Sequence, residues 1–273
     1  MTPKYFDIHT HLHFEVFKDD GREAVGRALA EGVWMIQVGT QKDTSAEAIR
    51  LAGSFSEGVY ATVGLHPVHT DKSFHDKSEL GDGGKSFSSR GEIFDYTYYK
   101  QLALHPKVVG IGECGLDYFR LSEETKKKQY DAFEQQIALA IEIEKPLMLH
   151  IRNAYDDALS ILKNYPAAKG NVHFFAGSWD IAKKFLDLGF TLSFTGVITF
   201  THDYDEVIKN APLDMIMSET DSPYVAPIPH RGARNESLYV KEVVRQIAEI
   251  RGEDLEKVEK ALVQNVQRVF AIS

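Results

Sequence analysis

Phe6-Asp7-Ile8-His9-Thr10-His11-Leu12-His13 is the stretch that separates the two α/β architectures open to this chain. Its first half reads as a strand. In an extended strand, residues two apart point to the same face, so the imidazoles of His9 and His11 aim at one point, which is half of a metal site. A His-x-His pair alone is a weak signal and serves a packed core as readily as a metal. Its position carries more. An open, doubly wound sheet would need a Gly-rich nucleotide turn directly after the first strand, and here that turn reads His9-Thr10-His11-Leu12-His13.

Outward from that turn, apolar runs rich in β-branched residues alternate with longer segments of helical periodicity. The candidate strands are Tyr5 to His9, Val33 to Val38, Tyr60 to Gly64, Val108 to Gly112, Leu147 to His150, Asn171 to Phe174, Thr191 to Phe194 and Met215 to Ser218. Between them, Glu124 to Ile143 carries Phe133, Ile137, Ala140 and Ile141 at helical spacing, and Ser178 to Leu188 opens on a Ser-x-Asp start signal. A further helix, Glu253 to Phe270, follows the last unit. Strands such as Val108-Val109-Gly110-Ile111 have the two-sided apolar character of buried parallel strands. The pattern predicts an α/β fold, a single (β/α)8 TIM barrel with an additional C-terminal helix, and one domain over residues 1–273.

Composition agrees. The chain has 273 residues, 43% of them hydrophobic, enough for one large core. With Cys114 as its one cysteine it can form no internal disulfide, and this, with no basic-then-apolar leader at the amino terminus and no apolar run long enough to span a bilayer, leads us to expect a cytoplasmic protein without a membrane partner. A formal charge of −9 argues against a broad basic face that coats duplex DNA, but leaves room for an enzyme that grips a few phosphates through metals.

The barrel changes the meaning of the polar residues. Carboxyl ends of barrel strands share one rim, so His9, His11, His66, Glu113, His150, His173 and Asp221 converge there from strands one, three, four, five, six and eight. Any one of them could be a structural residue closing a strand. Together they read as a metal centre.

These motifs resemble the TatD-type metal-dependent deoxyribonucleases, a branch of the amidohydrolase-like barrels. The resemblance rests on Asp7-Ile8-His9-Thr10-His11-Leu12, Val63-Gly64-Leu65-His66-Pro67, Gly112-Glu113-Cys114-Gly115-Leu116-Asp117-Tyr118, His150-Ile151-Arg152, His173-Phe174-Phe175-Ala176-Gly177 and Glu219-Thr220-Asp221-Ser222-Pro223-Tyr224. Arg231-Gly232-Ala233-Arg234-Asn235-Glu236 and Asn265-Val266-Gln267-Arg268-Val269-Phe270 extend it along nearly the whole chain. It implies two divalent ions, one held by His9, His11, Glu113 and Asp221, the other by Glu113, His150 and His173, with Glu113 bridging. It also implies 3′ to 5′ exonuclease action on DNA with single-stranded or frayed ends. Phe174, Ala176 and His13 depart from residues frequent in the family, which bears on pocket shape and leaves the implied ligands in place. The stretch Lys72 to Glu92 is longer than the usual connection. Its composition reads as a mobile surface insertion, and its place after a strand would also suit a flap.

The implied chemistry follows from charge. Two divalent ions against the carboxylates of Glu113 and Asp221 leave a formal excess of about two positive charges, so an acidic protein can hold an anion-seeking pocket. Glu113 and Asp221 are the catalytic candidates, Asp221 as proton acceptor or as ligand only. His66, Arg152, Arg231 and Arg234 are the substrate-binding candidates, the arginines because guanidinium matches two phosphate oxygens. Histidine-rich coordination favours Zn, Mn, Fe or Ni, whereas the resemblance implies activity with Mg. Alternative readings are a metal-dependent hydrolase of another ester or amide, such as an aminoacyl ester or small phosphoester, and a non-catalytic scaffold. Cys114 reads as buried packing facing the helices. Tyr96, Tyr98 and Tyr99 read as helix packing, and Lys126-Lys127-Lys128 as a solvated helix face.

Overall fold

The computed structural model describes residues 2–72, 74–75, 87–119 and 122–272. Eight parallel strands follow one another in chain order around a (β/α)8 TIM barrel: β1 Tyr5–Thr10, β2 Val33–Val38, β3 Val59–Val63, β4 Val108–Asp117, β5 Leu147–Arg152, β6 Gly170–Val172, β7 Thr191–Phe194 and β8 Ile216–Ser218. The seam between last and first strand is closed just beyond β8. Asp221 N donates to His9 O at 2.9 Å, His11 N donates to Ser222 O at 2.8 Å, and the Ser218 hydroxyl donates to Phe6 O at 3.0 Å.

Among the described residues the α-helices are α1 Gly21–Ala30, α2 Lys42–Gly53, α3 Tyr96–Ala103, α4 Glu123–Glu142, α5 Tyr155–Leu162, α6 Trp179–Asp187, α7 Asp205–Asn210, α8 Val240–Arg251 and α9 Leu255–Phe270. The expected start signal is the cap of α6, where the Ser178 side chain accepts from Ile181 N. The helix expected from Glu253 begins at Leu255, because Asp254 caps it, and α8 is an element the sequence reading lacked. Gly252 separates the two in the left-handed conformation (φ 63°) that ends α8. Among the described residues, no helix is long and apolar enough to cross a membrane.

Strand boundaries shift for local reasons. β4 runs past its expected end at Gly112 to Asp117, pairing Gly115 with His150. At Gly115 (φ 137°) a Cβ would lie 2.1 Å from His150 O, so only glycine lets the strands approach there. β6 stops at Val172, short of the expected Phe174, whose positive φ of 43° cannot continue a strand.

Side chains sort into two apolar layers. Between barrel and helices lie Tyr5, Met35, Val63, Ile111, Cys114, Leu149, Val172 and Leu192, which puts Cys114 on the helix side as expected. Inside the barrel, Phe6, Ile8, Trp34, Ile36, Met148 and Met217 pack against Val263, Val266 and Phe270 of α9. The extra C-terminal helix is therefore the plug at the amino ends of the strands. Asn265 holds it there, donating to Leu213 O and Ile216 O, both at 2.8 Å. The Tyr5 hydroxyl adds a 2.6 Å hydrogen bond to Glu259.

The remaining surface expectations divide. Tyr99 is buried and stacks on Phe94, which is the packing role. The lysine run is ion-paired: Lys126 with Asp157 at 2.9 Å, Lys127 with Asp131 at 3.5 Å and Lys128 with Asp71 at 3.0 Å. Within the expected insertion, Phe74–His75 pair antiparallel with Phe87–Ser88, and residues 73 and 76–86 lie outside the described residues.

Asn265→Ala should destabilise the protein by on the order of 1–3 kcal/mol for each carbonyl left without its donor. Urea unfolding checks this: the midpoint should fall with the slope unchanged, and a wild-type midpoint would mean that Asn265 does not anchor the plug.

Candidate metal centre

Two irregularities in the barrel ladder lie at the site. Between Asp7 and Thr10, β1 carries one residue more than β2, and between Ile111 and Cys114, β4 carries one more than β5. An extra residue of this kind reverses the alternation of faces and re-aims the side chain beside it. Ile8 packs inward, and His9 next to it also reaches the centre, while Asp7 turns to Thr220 instead. In β4, Ile111 and Cys114 both face the helices and Glu113 points inside. β5 keeps strict alternation, so Met148, His150 and Arg152 share its inner side.

The Glu113 carboxylate is the point of convergence, 4% exposed. Its Oε2 lies 3.4 Å from His9 Nε2 and 3.9 Å from His11 Nε2, and those nitrogens lie 3.7 and 3.6 Å from Asp221 Oδ1. Its Oε1 lies 2.9 Å from His173 Nε2, 3.0 Å from His150 Nδ1 and 3.2 Å from His66 Nε2. The structure thus brings His9, His11, His66, Glu113, His150, His173 and Asp221 together, as the sequence reading expected.

Around this ring stands a set of partners that the sequence reading did not assign. His11 Nδ1 donates to Val38 O at 2.7 Å, and His150 Nε2 donates to Asp117 Oδ2 at 2.9 Å. His173 Nδ1 lies 3.4 Å from Glu219 Oε1. Glu219 in turn accepts from Phe174 N and from the Ser193 hydroxyl, both at 2.7 Å, and Ser193 accepts from Asn171 at 2.7 Å. Asp7 accepts from the Thr220 amide at 2.8 Å and hydroxyl at 2.6 Å. The signal for Asp117 and Glu219 was present. Each lies an even number of residues from a ligand-type carboxylate at a strand end, four from Glu113 and two from Asp221.

Burial, followed by the nearby charge of His173, lowers the His9 pKa to about 3, so His9 is neutral at pH 7. Burial also lowers that of His66. For His150 and His173 burial acts the same way but is overcome, by hydrogen bonds to Asp117 and Glu113 in the first and by the charges of Glu113 and Glu219 in the second, so both are raised. Burial opposes ionisation of Glu113, yet His66, His173 and His9 hold it well below the usual carboxylate range. Without a metal, then, protons on His150 and His173, the two buried histidines whose pKa is raised, supply the positive charge this carboxylate requires. The donor set fits a divalent cation on that ground. Nitrogen and oxygen donors of His9, His11 and Glu113 lie within 4.8 Å of one another, as do those of His66, Glu113 and His150, and those of His9, His173 and Asp221.

The centre forms the floor of a cavity of about 430 Å³, lined among others by Phe14, Arg152, Tyr155, Phe174 and Tyr224. Of the expected substrate contacts, His66 and Arg152 line it, with Arg152 stacked 3.9 Å from the Phe119 ring. Arg231 stacks on Phe200 at 3.8 Å and is not in the lining. Arg234 is likewise outside the lining: it donates to both Asp20 oxygens, at 2.9 and 2.5 Å, and to Val16 O, and it lies over Phe17. His13, one of the departures from the family pattern, bonds Gln37 at 3.3 Å.

Comparison with known proteins agrees with this architecture. The family described as TatD related DNase matches residues 6–271. A Bacillus subtilis protein named uncharacterized metal-dependent hydrolase YabD is 36% identical, over 98% of this chain and 99% of its own length. A Klebsiella pneumoniae protein named 3′-5′ ssDNA/RNA exonuclease TatD is also 36% identical, over 98% of each chain. The crystal structure of YjjV, a TatD homologue from Escherichia coli, superposes with a TM-score of 0.84 at 27% identity, covering all of both chains. A barrel whose rim gathers histidines and carboxylates at these positions, with relatives of this kind along its whole length, belongs to the TatD family of metal-dependent hydrolases.

Proposed function

We propose that this chain hydrolyses phosphodiester bonds at single-stranded or frayed DNA ends, in the 3′ to 5′ direction, with two divalent ions. The observation that carries the reading is the division of labour at Glu113, whose two oxygens face two different donor groups. His9, His11, Asp221 and Glu113 Oε2 would hold one ion, and His150, His173 and Glu113 Oε1 the other. Bound there, divalent ions supply Lewis acidity toward water and phosphoryl oxygen.

The chain's own residues do the rest. Asp221, with a side chain 13% exposed at the cavity floor, accepts the proton of the attacking water. Arg152, its guanidinium fixed against Phe119, offers a planar contact to a phosphate. A cavity of about 430 Å³ suits one nucleotide unit better than a duplex, and the net charge of −9 keeps affinity in the pocket and off the surface. The Klebsiella relative's name supports polarity and single-strandedness and extends the substrate class to RNA.

Glu113→Ala should lower activity by more than either His11→Ala or His150→Ala, because it removes a donor from both ion sites. Metal content and turnover measured on the same preparations decide it, and two retained ions with near-normal turnover would sink the bridging role.

Asp221→Asn separates ligation from proton transfer. The amide keeps an oxygen donor but cannot take the proton, so the rate at saturating metal should remain at least about 10²-fold below wild type. Recovery of the full rate on adding metal would make Asp221 a ligand only.

Covalently closed single-stranded circles test the requirement for an end. Linear oligonucleotides of DNA and of RNA should shorten from the 3′ end while circles persist. Circles cut as fast as linear strands would replace the exonuclease reading with an endonuclease one, and inertness toward all nucleic acids alongside cleavage of aminoacyl esters or small phosphoesters would favour the other hydrolase reading.

A further inference from the structure

Four of the histidines around the centre have their second ring nitrogen near a partner, and one is held the opposite way from the rest. A carbonyl or carboxylate oxygen can only accept, so His11 Nδ1 facing Val38 O, and His150 Nε2 facing Asp117, carry the protons. Their other nitrogens face the centre and can give lone pairs to an ion that takes the place of any proton held there without one, as ligands must. His173 has Nδ1 on the side of Glu219, 3.4 Å from its Oε1.

His66 does not. It caps the 3-10 turn Pro67–Thr70, and since Pro67 has no N–H, the first amide of the turn is that of Val68, which donates to His66 Nδ1 at 3.2 Å. A backbone amide can only donate. Nδ1 therefore keeps its lone pair, and the ring carries its proton on Nε2, the atom that faces Glu113 Oε1 at 3.2 Å. The ring is held in place by His150, whose centroid lies 4.2 Å away. By distance alone His66 completes a metal-ligand trio with Glu113 and His150. By hydrogen-bond direction it cannot, because a nitrogen that bears a proton has no lone pair to give.

We propose that His66 is the hydrogen-bond donor of the site and not a metal ligand, its Nε2–H directed at an oxygen of the phosphoryl group under attack. The substrate assignment rests on the phosphodiesterase reading above. Ligation by the Glu113 oxygens weakens them as acceptors, and His66 lines the cavity, so its Nε2–H is available to an oxygen of a bound substrate. The oxygens of a phosphoryl group gain negative charge during displacement, and a fixed neutral donor stabilises that charge without transferring a proton.

Wild type, His66→Gln and His66→Leu, each metal-loaded as the full chain and desalted, separate the possibilities. Metal content should be the same in all three. Turnover of a single-stranded oligonucleotide should fall on the order of 10²-fold in His66→Leu, the size of effect seen when one oxyanion donor is removed, and recover in part in His66→Gln, whose amide restores an N–H. Calorimetry with thymidine 5′-monophosphate should show weaker binding in the same order. Long-range 15N–1H correlation on the wild type, which needs no variant to fold, should place the His66 proton on Nε2. Loss of an ion from His66→Leu, or a proton on Nδ1, overturns the donor role in favour of ligation. Unchanged turnover and binding in His66→Leu, with an active wild type, overturns it in favour of a bystander. A metal-loaded wild type that neither cleaves nucleic acid nor binds the nucleotide brings down the phosphodiesterase reading and this proposal together.

Discussion

A carboxylate buried at the centre of a protein must be compensated, since an uncompensated ion there costs several kcal/mol. Glu113 is that carboxylate, and much of the upper barrel is arranged to meet its demand. The extra residue in β4 turns it inward, and the extra residue in β1 turns His9 toward it. Histidines from four different strands or strand ends face it, and those histidines are themselves oriented by Val38 O, Asp117 and Glu219. Even the seam of the barrel runs through this place: the backbone of Asp221 pairs with that of His9, so closing the sheet and assembling the ligands are one event.

The seven rim residues were legible because strand ends are legible. A run such as Leu147-Met148-Leu149 followed by His150 marks both the strand and its mouth, and the barrel rule then puts every such end on one rim. The spacing of His9 and His11 gave their common face. What strict alternation could not reveal is an extra residue inside a strand, because a bulge is a property of two paired strands and not of one. The Asp20 partner of Arg234 was hidden for a similar reason: it is 214 residues away, and nothing local distinguishes a guanidinium bound to a carboxylate from one awaiting a phosphate. α8 was readable and missed, for its buried Val240, Val243, Val244, Ile247 and Ala248 stand at helical spacing.

Support for the centre comes from below, from side chains that are themselves polar. Asn171, Ser193 and Glu219 make a buried polar chain beneath His173, each member donating to the next until the carboxylate is reached. Such a chain fixes rotamers that apolar packing would leave free, at the risk that one broken link strands a polar group in the interior. The apolar layer lies lower still, where Phe6, Trp34 and Met217 meet α9.

That lower layer has a consequence for traffic. With Val266 and Phe270 filling the amino-terminal end of the barrel, the cavity above the ligands is a cul-de-sac and not a corridor. Whatever reacts there must retreat through the opening by which it came. A polymer that enters the cavity cannot thread onward along the barrel axis. It has to leave by the side on which it entered, whole or in fragments.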